Sequence, residues 1–102
     1  MQLDIASRHA TLEPTLERRT HEIAERLGRL GPRALQGTAV FDTVAGLPWV
    51  ELRVHCSGGA TLIATATADD HRTALDVVDR KMRRQLRRTN TRPRAARHAT
   101  AT

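Results

Sequence analysis

The amino-acid sequence predicts a small two-layer α+β domain with the element order β-α-β-β-β-α, a four-stranded sheet and both helices on one face of that sheet. Four segments alternate apolar and polar residues with the period of two that a half-buried strand shows. Two other segments repeat apolar residues at helical spacing. The 102 residues give room for one hydrophobic core, which must be aliphatic because the chain has one Trp, one Phe and no Tyr.

The first strand and the first helix are predicted within residues 2–30. Leu3 and Ile5 alternate with polar neighbours from residue 2 to residue 7, which indicates a strand. Pro14 suits the first turn of a helix, and apolar residues then recur at helical spacing up to residue 30. Gly31-Pro32 is expected to end this helix, which we place at about residues 13–30.

Three further strands are predicted as two consecutive hairpins. Residues 35–43 alternate, with Leu35, Ala39 and Phe41 on one side, and Gly37 indicates a bulge or a close backbone approach. A turn over residues 45–48 leads to a strand at 49–56, and Gly58-Gly59 then turns into an Ala-rich strand at 60–68. The helical crossover makes the first two strands parallel, whereas the hairpins make the other pairs antiparallel.

The second helix is predicted from the aspartates at 69 and 70, either of which can cap it, to about Arg88. Leu75, Val78, Met82 and Leu86 repeat at helical spacing on its apolar side. Residues 89–102 have no apolar periodicity and contain a proline, so they predict a flexible basic tail. The expected organisation is therefore one domain at residues 1–88 followed by a tail at 89–102.

Positive charge is concentrated toward the C-terminal end. The formal net charge is +6, but residues 1–70 hold seven Lys or Arg against nine Asp or Glu, and residues 71–102 hold ten against two. This asymmetry indicates a polyanionic partner, either nucleic acid or an anionic membrane surface. All but one of the 17 cationic residues are arginine. Arginine binds phosphate bidentately, which favours nucleic acid, although a GC-rich genome would produce the same bias.

One side of the second helix is apolar and the opposite side is basic. A solvated helix face usually mixes both signs, yet only Asp76 and Asp79 accompany these arginines, so contact with RNA or DNA explains the pattern better. Arginines of the first helix would widen the surface if both helices share a sheet face. The candidate RNA-binding residues are Arg80, Lys81, Arg83, Arg84, Arg87, Arg88, Arg92, Arg94, Arg26 and Arg29.

Other classes of function find no support in the sequence. The single cysteine excludes an internal disulfide, and the five histidines show no metal-ligand spacing. No glycine-rich phosphate loop, nucleophile elbow or carboxylate pair is present, and no apolar run approaches a membrane span. The shortage of aromatics favours recognition of folded RNA by shape. We therefore expect a cytoplasmic protein that is not an enzyme, with no cofactor, metal or small-molecule substrate.

A known family shares a pattern of residues with this chain. The pattern comprises the opening Met1-Gln2-Leu3-Asp4-Ile5 with Arg8-His9, the helix from Leu16 to Leu27 and, above all, the series Asp70, Ala74-Leu75-Asp76, Lys81-Met82, Arg84-Gln85-Leu86 and Arg88. In these residues the chain resembles the ribosome hibernation-promoting factors, also known as ribosome-associated inhibitors. The resemblance extends from residue 1 to about residue 88.

The resemblance implies a fold similar to double-stranded-RNA-binding domains and a position in the cleft between head and body of the small ribosomal subunit. There the protein would overlap the mRNA path and the tRNA sites and inhibit translation in starved or stationary-phase cells. Lys81, Arg84 and Arg88 match the family's basic positions that contact rRNA. Arg72 replaces an aromatic and Asp79 an apolar residue, so helix packing is expected to differ. The resemblance does not extend to the C-terminal dimerisation domain of the long members, so we expect a short form.

Two other functions stay open at this point, a general module for structured RNA or DNA and a regulator that binds an acidic protein partner. The sequence also leaves open whether ribosomes are inactivated singly or as dimers formed with a helper factor. We expect a monomer or a weak homodimer, because one sheet face is partly apolar and bears Thr38, Val40, Trp49, Ile63 and Thr65.

Overall fold

The six predicted elements are present in the predicted order. A computed structural model describes residues 1–30 and 34–101, with side chains described for residues 1–30 and 34–88. The elements are β1 (Gln2–Ser7), α1 (Pro14–Arg29), β2 (Ala34–Val44), β3 (Leu47–Cys56), β4 (Thr61–Thr67) and α2 (His71–Ala101). The α+β class predicted from the sequence is confirmed.

The four strands form one sheet in the order β1-β2-β3-β4. β1 runs parallel to β2, and the pairs β2/β3 and β3/β4 are antiparallel, as the crossover and the hairpins predict. The first hairpin turns over two residues, Ala45 and Gly46, which both have positive φ angles of 52° and 77°. This turn matches the twist of the strands and lets β3 begin at Leu47, two residues earlier than the sequence predicts.

A bulge at the start of β2 changes which side chains enter the core. The sequence alternation put Leu35 on the side of Ala39 and Phe41, but Leu35 is 56% exposed. The register of β2 against β3 shifts between Ala34 and Gln36, so the alternation restarts there and Ala34 packs against the core in place of Leu35. The close approach predicted at Gly37 is present, since a Cβ there would lie 2.9 Å from Cε of Met1.

Both helices pack on one face of the sheet and bury an aliphatic core. The apolar side of α2 is buried as predicted, with Leu75, Val78, Met82 and Leu86 at most 1% exposed. Ala64 of β4 is also buried, and its small side chain permits close approach of the helix. α1 adds Ile23 and Leu27 to the same core, which therefore joins both helices to the sheet.

The bounds of α1 and the start of α2 are close to those predicted, but the predicted end of α2 is wrong. α1 begins at Pro14 and is followed by Leu30 as its C-cap, whereas the predicted stop at Gly31-Pro32 lies outside the described residues. α2 continues to Ala101, beyond the end predicted near Arg88. Loss of apolar periodicity removes packing but not helical propensity, which is high for the Arg and Ala residues at 94–97. The side chains of residues 89–102 are not among those described, and the predicted flexibility of this segment stays a prediction.

The start of α2 is capped by Asp70, whose Oδ1 atom accepts a 2.7 Å hydrogen bond from the backbone N–H of Thr73. His71, the first residue of the helix, donates from Nε2 to the carbonyl oxygen of Asp42 at 2.8 Å. Its ring also meets Phe41 edge-on, with the ring centroids 6.0 Å apart. These contacts fix the N-terminal end of α2 against β2.

The cap gives a prediction about pH. Hydrogen bonds from the Thr73 backbone and side chain hold the pKa of Asp70 below its ordinary value of 3.8. Because the folded-state pKa is depressed, the stabilisation is fully present above pH 3.8 and is lost as the pH falls through the folded-state pKa. Asp70→Ala should therefore lower the free energy of unfolding at neutral pH, and the deficit should shrink toward about pH 2.

Denaturant unfolding of the wild type and the variant at both pH values measures this difference. Asp69→Ala is the matched control, because the neighbouring carboxylate makes no capping hydrogen bond among the described residues. A deficit of equal size at both pH values would show that the charge of Asp70 is not what stabilises the helix.

Candidate nucleic-acid interface

The solvent-facing side of α2 carries a row of three arginines, Arg80, Arg84 and Arg88, which we name the α2 ridge. All three side chains are exposed. They recur every four residues, so consecutive members lie one turn apart and the row extends over about 12 Å of helix. Within the described part of the chain, none of the three forms an ion pair with a carboxylate. The ridge is therefore an uncompensated strip of positive charge.

A groove of about 470 Å³ lies between β4, which is an edge strand of the sheet, and the ridge residues Arg84 and Arg88. Lys81 donates from Nζ to the carbonyl oxygen of Thr65 at 2.8 Å, and Gln85 donates from Nε2 to that of Ile63 at 2.8 Å. These bonds satisfy backbone carbonyls on the open side of the edge strand. No carboxylate lines the groove, whose walls are Leu62, Ile63, Ala64, Thr65, Lys81, Arg84, Gln85 and Arg88.

The acidic residues of α2 face α1. Asp76 accepts two hydrogen bonds at Oδ1 from the guanidinium of Arg19, at 2.7 and 3.0 Å. Asp79 is buried at 6% exposure and lies between Arg26 of α1 and Arg83 of α2. The hydrogen bond to Asp76, assisted by nearby carboxylates, raises the pKa of Arg19 above its ordinary value. Asp76 and Asp79, the two acidic residues of α2, thus form ion pairs with Arg19, Arg26 and Arg83 at the junction of the helices and with none of the ridge arginines.

The predicted RNA-binding residues fall into separate places. Arg84, Arg88 and Lys81 border one groove, and Arg80 lies on the same exposed row outside it. Arg83 and Arg26 meet at the junction of the two helices. Arg29 is exposed and lies 3.9 Å from Glu25 of its own helix, and Arg87 is exposed on α2. The side chains of Arg92 and Arg94 lie outside the described residues. The ion pairs of Arg19 and Arg26 with aspartates of α2 were not predicted, although the two arginines are spaced by two turns, as are residues on one face of a helix.

A second groove, of about 570 Å³, lies between the N-terminal ends of the helices. Its walls mix Arg18, Arg19 and Arg72 with Glu13, Glu22 and Asp70, so it has no strong preference for an anion. The described residues contain no group of three or more His, Cys, Asp or Glu side chains placed to hold a metal ion. Among them there is also no helix with the length and apolar character needed to cross a membrane.

Comparison with known proteins gives the family and the fold. The model of the family described as "Sigma 54 modulation protein / S30EA ribosomal protein" matches residues 3–94. No match is found among curated proteins. A Thermus thermophilus structure, the N-terminal domain of Protein Y, is 17% identical with a TM-score of 0.77, and the match covers 87% of this chain and 99% of that one.

A second solved structure, a ribosomal subunit interface protein from Coxiella burnetii, is 20% identical with a TM-score of 0.80. The match covers 89% of this chain and 99% of that one. At these identities the two structures establish the shared fold, while the family match includes nearly all the residues that carry the resemblance seen in the sequence. The chain therefore belongs to the sigma 54 modulation protein / S30EA ribosomal protein family, a family of ribosome-associated proteins, and the resemblance is confirmed.

Proposed function

We propose that this protein is a ribosome hibernation factor that binds small-subunit rRNA through the α2 ridge. It sits in the cleft between head and body, occludes the mRNA path and the tRNA sites, and inhibits translation under stress. The observation that carries the proposal is the ridge itself, because three exposed arginines face solvent on a helix whose own aspartates are occupied elsewhere. Family membership supports the ribosome as the partner.

The ridge and its groove fit the backbone of folded RNA. Guanidinium groups one helical turn apart can each hold a phosphate bidentately, and Lys81 adds a point charge on the β4 side. Arg92 continues the four-residue spacing in the sequence, and the helical backbone of α2 continues past it. We propose that Arg92 and Arg94, in the segment 89–102, extend the contact along the RNA.

Binding through phosphates recognises the shape of the folded RNA and makes no base-specific contacts. Trp49 is the only Trp in the chain. It lies on β3 next to Val50, whose side chain enters the core on the helical face, so Trp49 belongs to the opposite face of the sheet. The ridge therefore has no aromatic platform among the described residues on which a base could stack. Inhibition by steric occlusion needs no reacting group, and we propose a cytoplasmic protein that is not an enzyme.

Self-association contributes little in this proposal. On the sheet face opposite the helices, Ile63 is 44% exposed, but Val40 is only 6% exposed and Arg53 and Glu51 form an ion pair there at 2.7 Å. A charged pair in the middle of a modest apolar area is unfavourable for a stable interface. We therefore propose a monomer or a weak homodimer. Whether ribosomes are inactivated singly or as dimers formed with a helper factor is a separate question that this sheet face does not decide.

Competition binding tests the proposal against its two alternatives. Labelled protein is bound to purified small ribosomal subunits and competed with unlabelled subunits or with protein-free structured RNA. A hibernation factor should prefer subunits by at least about tenfold, since the cleft supplies contacts that free RNA lacks. Equal competition would identify a general RNA-binding module. Cellular complexes that survive nuclease treatment would instead identify an acidic protein partner.

A further inference from the structure

At the junction of the two helices, one buried carboxylate is shared by two arginines from different helices. Asp79 of α2 has a side chain only 8% exposed. Its Oδ1 atom lies 3.4 Å from Nε of Arg83, and its Oδ2 atom lies 3.8 Å from Nη2 of Arg26. The Arg83 and Arg26 side chains are 38% and 55% exposed, so each guanidinium is only partly covered. We name these three residues the seam triad.

We propose that the seam triad is a phosphodiester-binding subsite in which Asp79 is a positioning residue that holds Arg26 and Arg83 side by side. This inference rests on the proposed function, because it assigns a second contact to the same RNA-binding surface. The phosphate would be bound by the solvent-facing edges of the two guanidinium groups, while the carboxylate holds them from below. A planar guanidinium has donors on several sides and can serve both partners at once.

The charge count of the triad supports an anion. Two positive charges share one negative charge, which leaves a surplus of one at a partly exposed site. The neighbouring pair of Arg19 and Asp76 is balanced and hydrogen-bonded, so it does not neutralise that surplus. An anion that contacts both arginines would complete the balance.

Hydrogen bonding at Arg83 supports the same conclusion. Its Nε atom is buried and has no hydrogen-bond acceptor among the described residues, because the 3.4 Å approach to Asp79 is an ion pair without hydrogen-bond geometry. A buried donor without an acceptor is costly, and small rotations of the guanidinium on binding an anion can relieve it. In the free protein, Arg83 is therefore already held beside Asp79, and the hydrogen-bond acceptor that its guanidinium lacks would be gained when an anion binds.

A purely structural role explains the triad less well. Burying a carboxylate costs desolvation energy, and well-packed apolar residues often replace buried ion pairs without loss of stability. The helices are already joined to the sheet by apolar side chains such as Ile23, Leu27 and Leu75. Stability alone therefore gives little reason to place a carboxylate at this position, whereas positioning of two arginines does.

The substitution Asp79→Asn distinguishes a carboxylate that positions the two arginines from one that merely reduces the positive charge of the surface. The two roles predict opposite changes in affinity for purified small subunits. If Asp79 only reduced the positive charge of the surface, its removal would tighten binding to a polyanion and steepen the salt dependence. If it positions the arginines, binding should weaken about three- to tenfold, because two long side chains must then be ordered on binding. Unchanged or tighter binding by folded Asp79→Asn overturns the proposal.

Substitution of single arginines by lysine provides a matched comparison. This test remains informative even if the Asp79→Asn variant does not fold. Arg83→Lys keeps the charge but removes the planar group that spans carboxylate and phosphate, and Arg80→Lys makes the same change on the ridge, where no carboxylate takes part. The proposal expects a larger loss of affinity for Arg83→Lys than for Arg80→Lys. Equal losses would overturn it.

A probe without ribosomes distinguishes failure of the seam triad from failure of the proposed function. Inorganic phosphate is titrated into isotope-labelled protein while the arginine Nε–H resonances are followed by NMR, with chloride at equal ionic strength as the control. The Arg83 and Arg26 resonances should shift saturably in the wild type, and Asp79→Asn should need an about three- to tenfold higher phosphate concentration for the same shift. If phosphate shifts these resonances but the protein does not bind small subunits, the anion subsite stands and the proposed ribosomal function is wrong. If phosphate causes no shifts, the proposed subsite is wrong.

Discussion

Charge reversal at both Arg84 and Arg88 is expected to weaken binding to the small ribosomal subunit by at least about a hundredfold. In the proposed complex each substitution would remove a charge-assisted hydrogen bond to phosphate, worth about 1.5–3 kcal/mol, and add repulsion between a carboxylate and the RNA. Both side chains are exposed and line the groove beside β4, so they have no part in the core. The variant Arg84→Glu/Arg88→Glu should therefore fold normally, and the loss should appear in the dissociation constant.

The control must change the net charge equally without touching the ridge. Arg8→Glu/Arg18→Glu does so, because both arginines are exposed and lie outside α2, Arg8 directly after β1 and Arg18 in α1, where it lines the other groove. At about 0.15 M salt the Debye length is about 8 Å, so charges far from the interface are largely screened. Co-sedimentation and equilibrium binding of both variants give the comparison. Unchanged binding by a folded ridge variant would remove Arg84 and Arg88 from the interface.

The architecture of the domain was predictable because apolar residues repeat at strand or helix spacing within each element. Alternation in β3 and helical spacing in α2 identify the core side of each element, and residues such as Val54 and Met82 are buried as that pattern requires. Leu35 shows the limit of the method. A single bulge between Ala34 and Gln36 reverses the alternation. Gly37 indicates a bulge or a close backbone approach, but it does not show at which residue the register shifts.

The row of arginines on α2 was predictable from the sequence, but the partners of the helix's aspartates and of Lys81 were not. Helical geometry alone places Arg80, Arg84 and Arg88 together on the outer side of α2. The partners of Asp76 and Asp79 on α1 depend on how the two helices pack, and Arg19 and Asp76 are 57 residues apart in sequence. The hydrogen bond from Lys81 to the carbonyl oxygen of Thr65 likewise depends on how α2 packs on the sheet. Contacts of this kind are decided by tertiary packing, which periodicity does not describe.

Raising the salt concentration from about 50 to 200 mM should lower the affinity for small subunits about a thousandfold. The ridge, Lys81 and the two arginines of the seam triad offer six cationic groups to phosphates. Each phosphate neutralised on RNA releases condensed counterions, so the logarithm of the binding constant falls linearly with that of salt concentration, with a slope of about −0.7 to −0.9 per contact.

The same titration counts the contacts that each variant loses. Arg84→Glu/Arg88→Glu should reduce the magnitude of the slope by about 1.4–1.8, because two of the phosphate contacts are gone, whereas Arg8→Glu/Arg18→Glu should leave the slope unchanged. Asp79→Asn provides the most discriminating case, since loss of positioning lowers the slope while mere gain of positive charge raises it. Affinity that barely responds to salt would mean that binding depends on apolar or protein contacts, and the α2 ridge could then not be the surface that meets the ribosome.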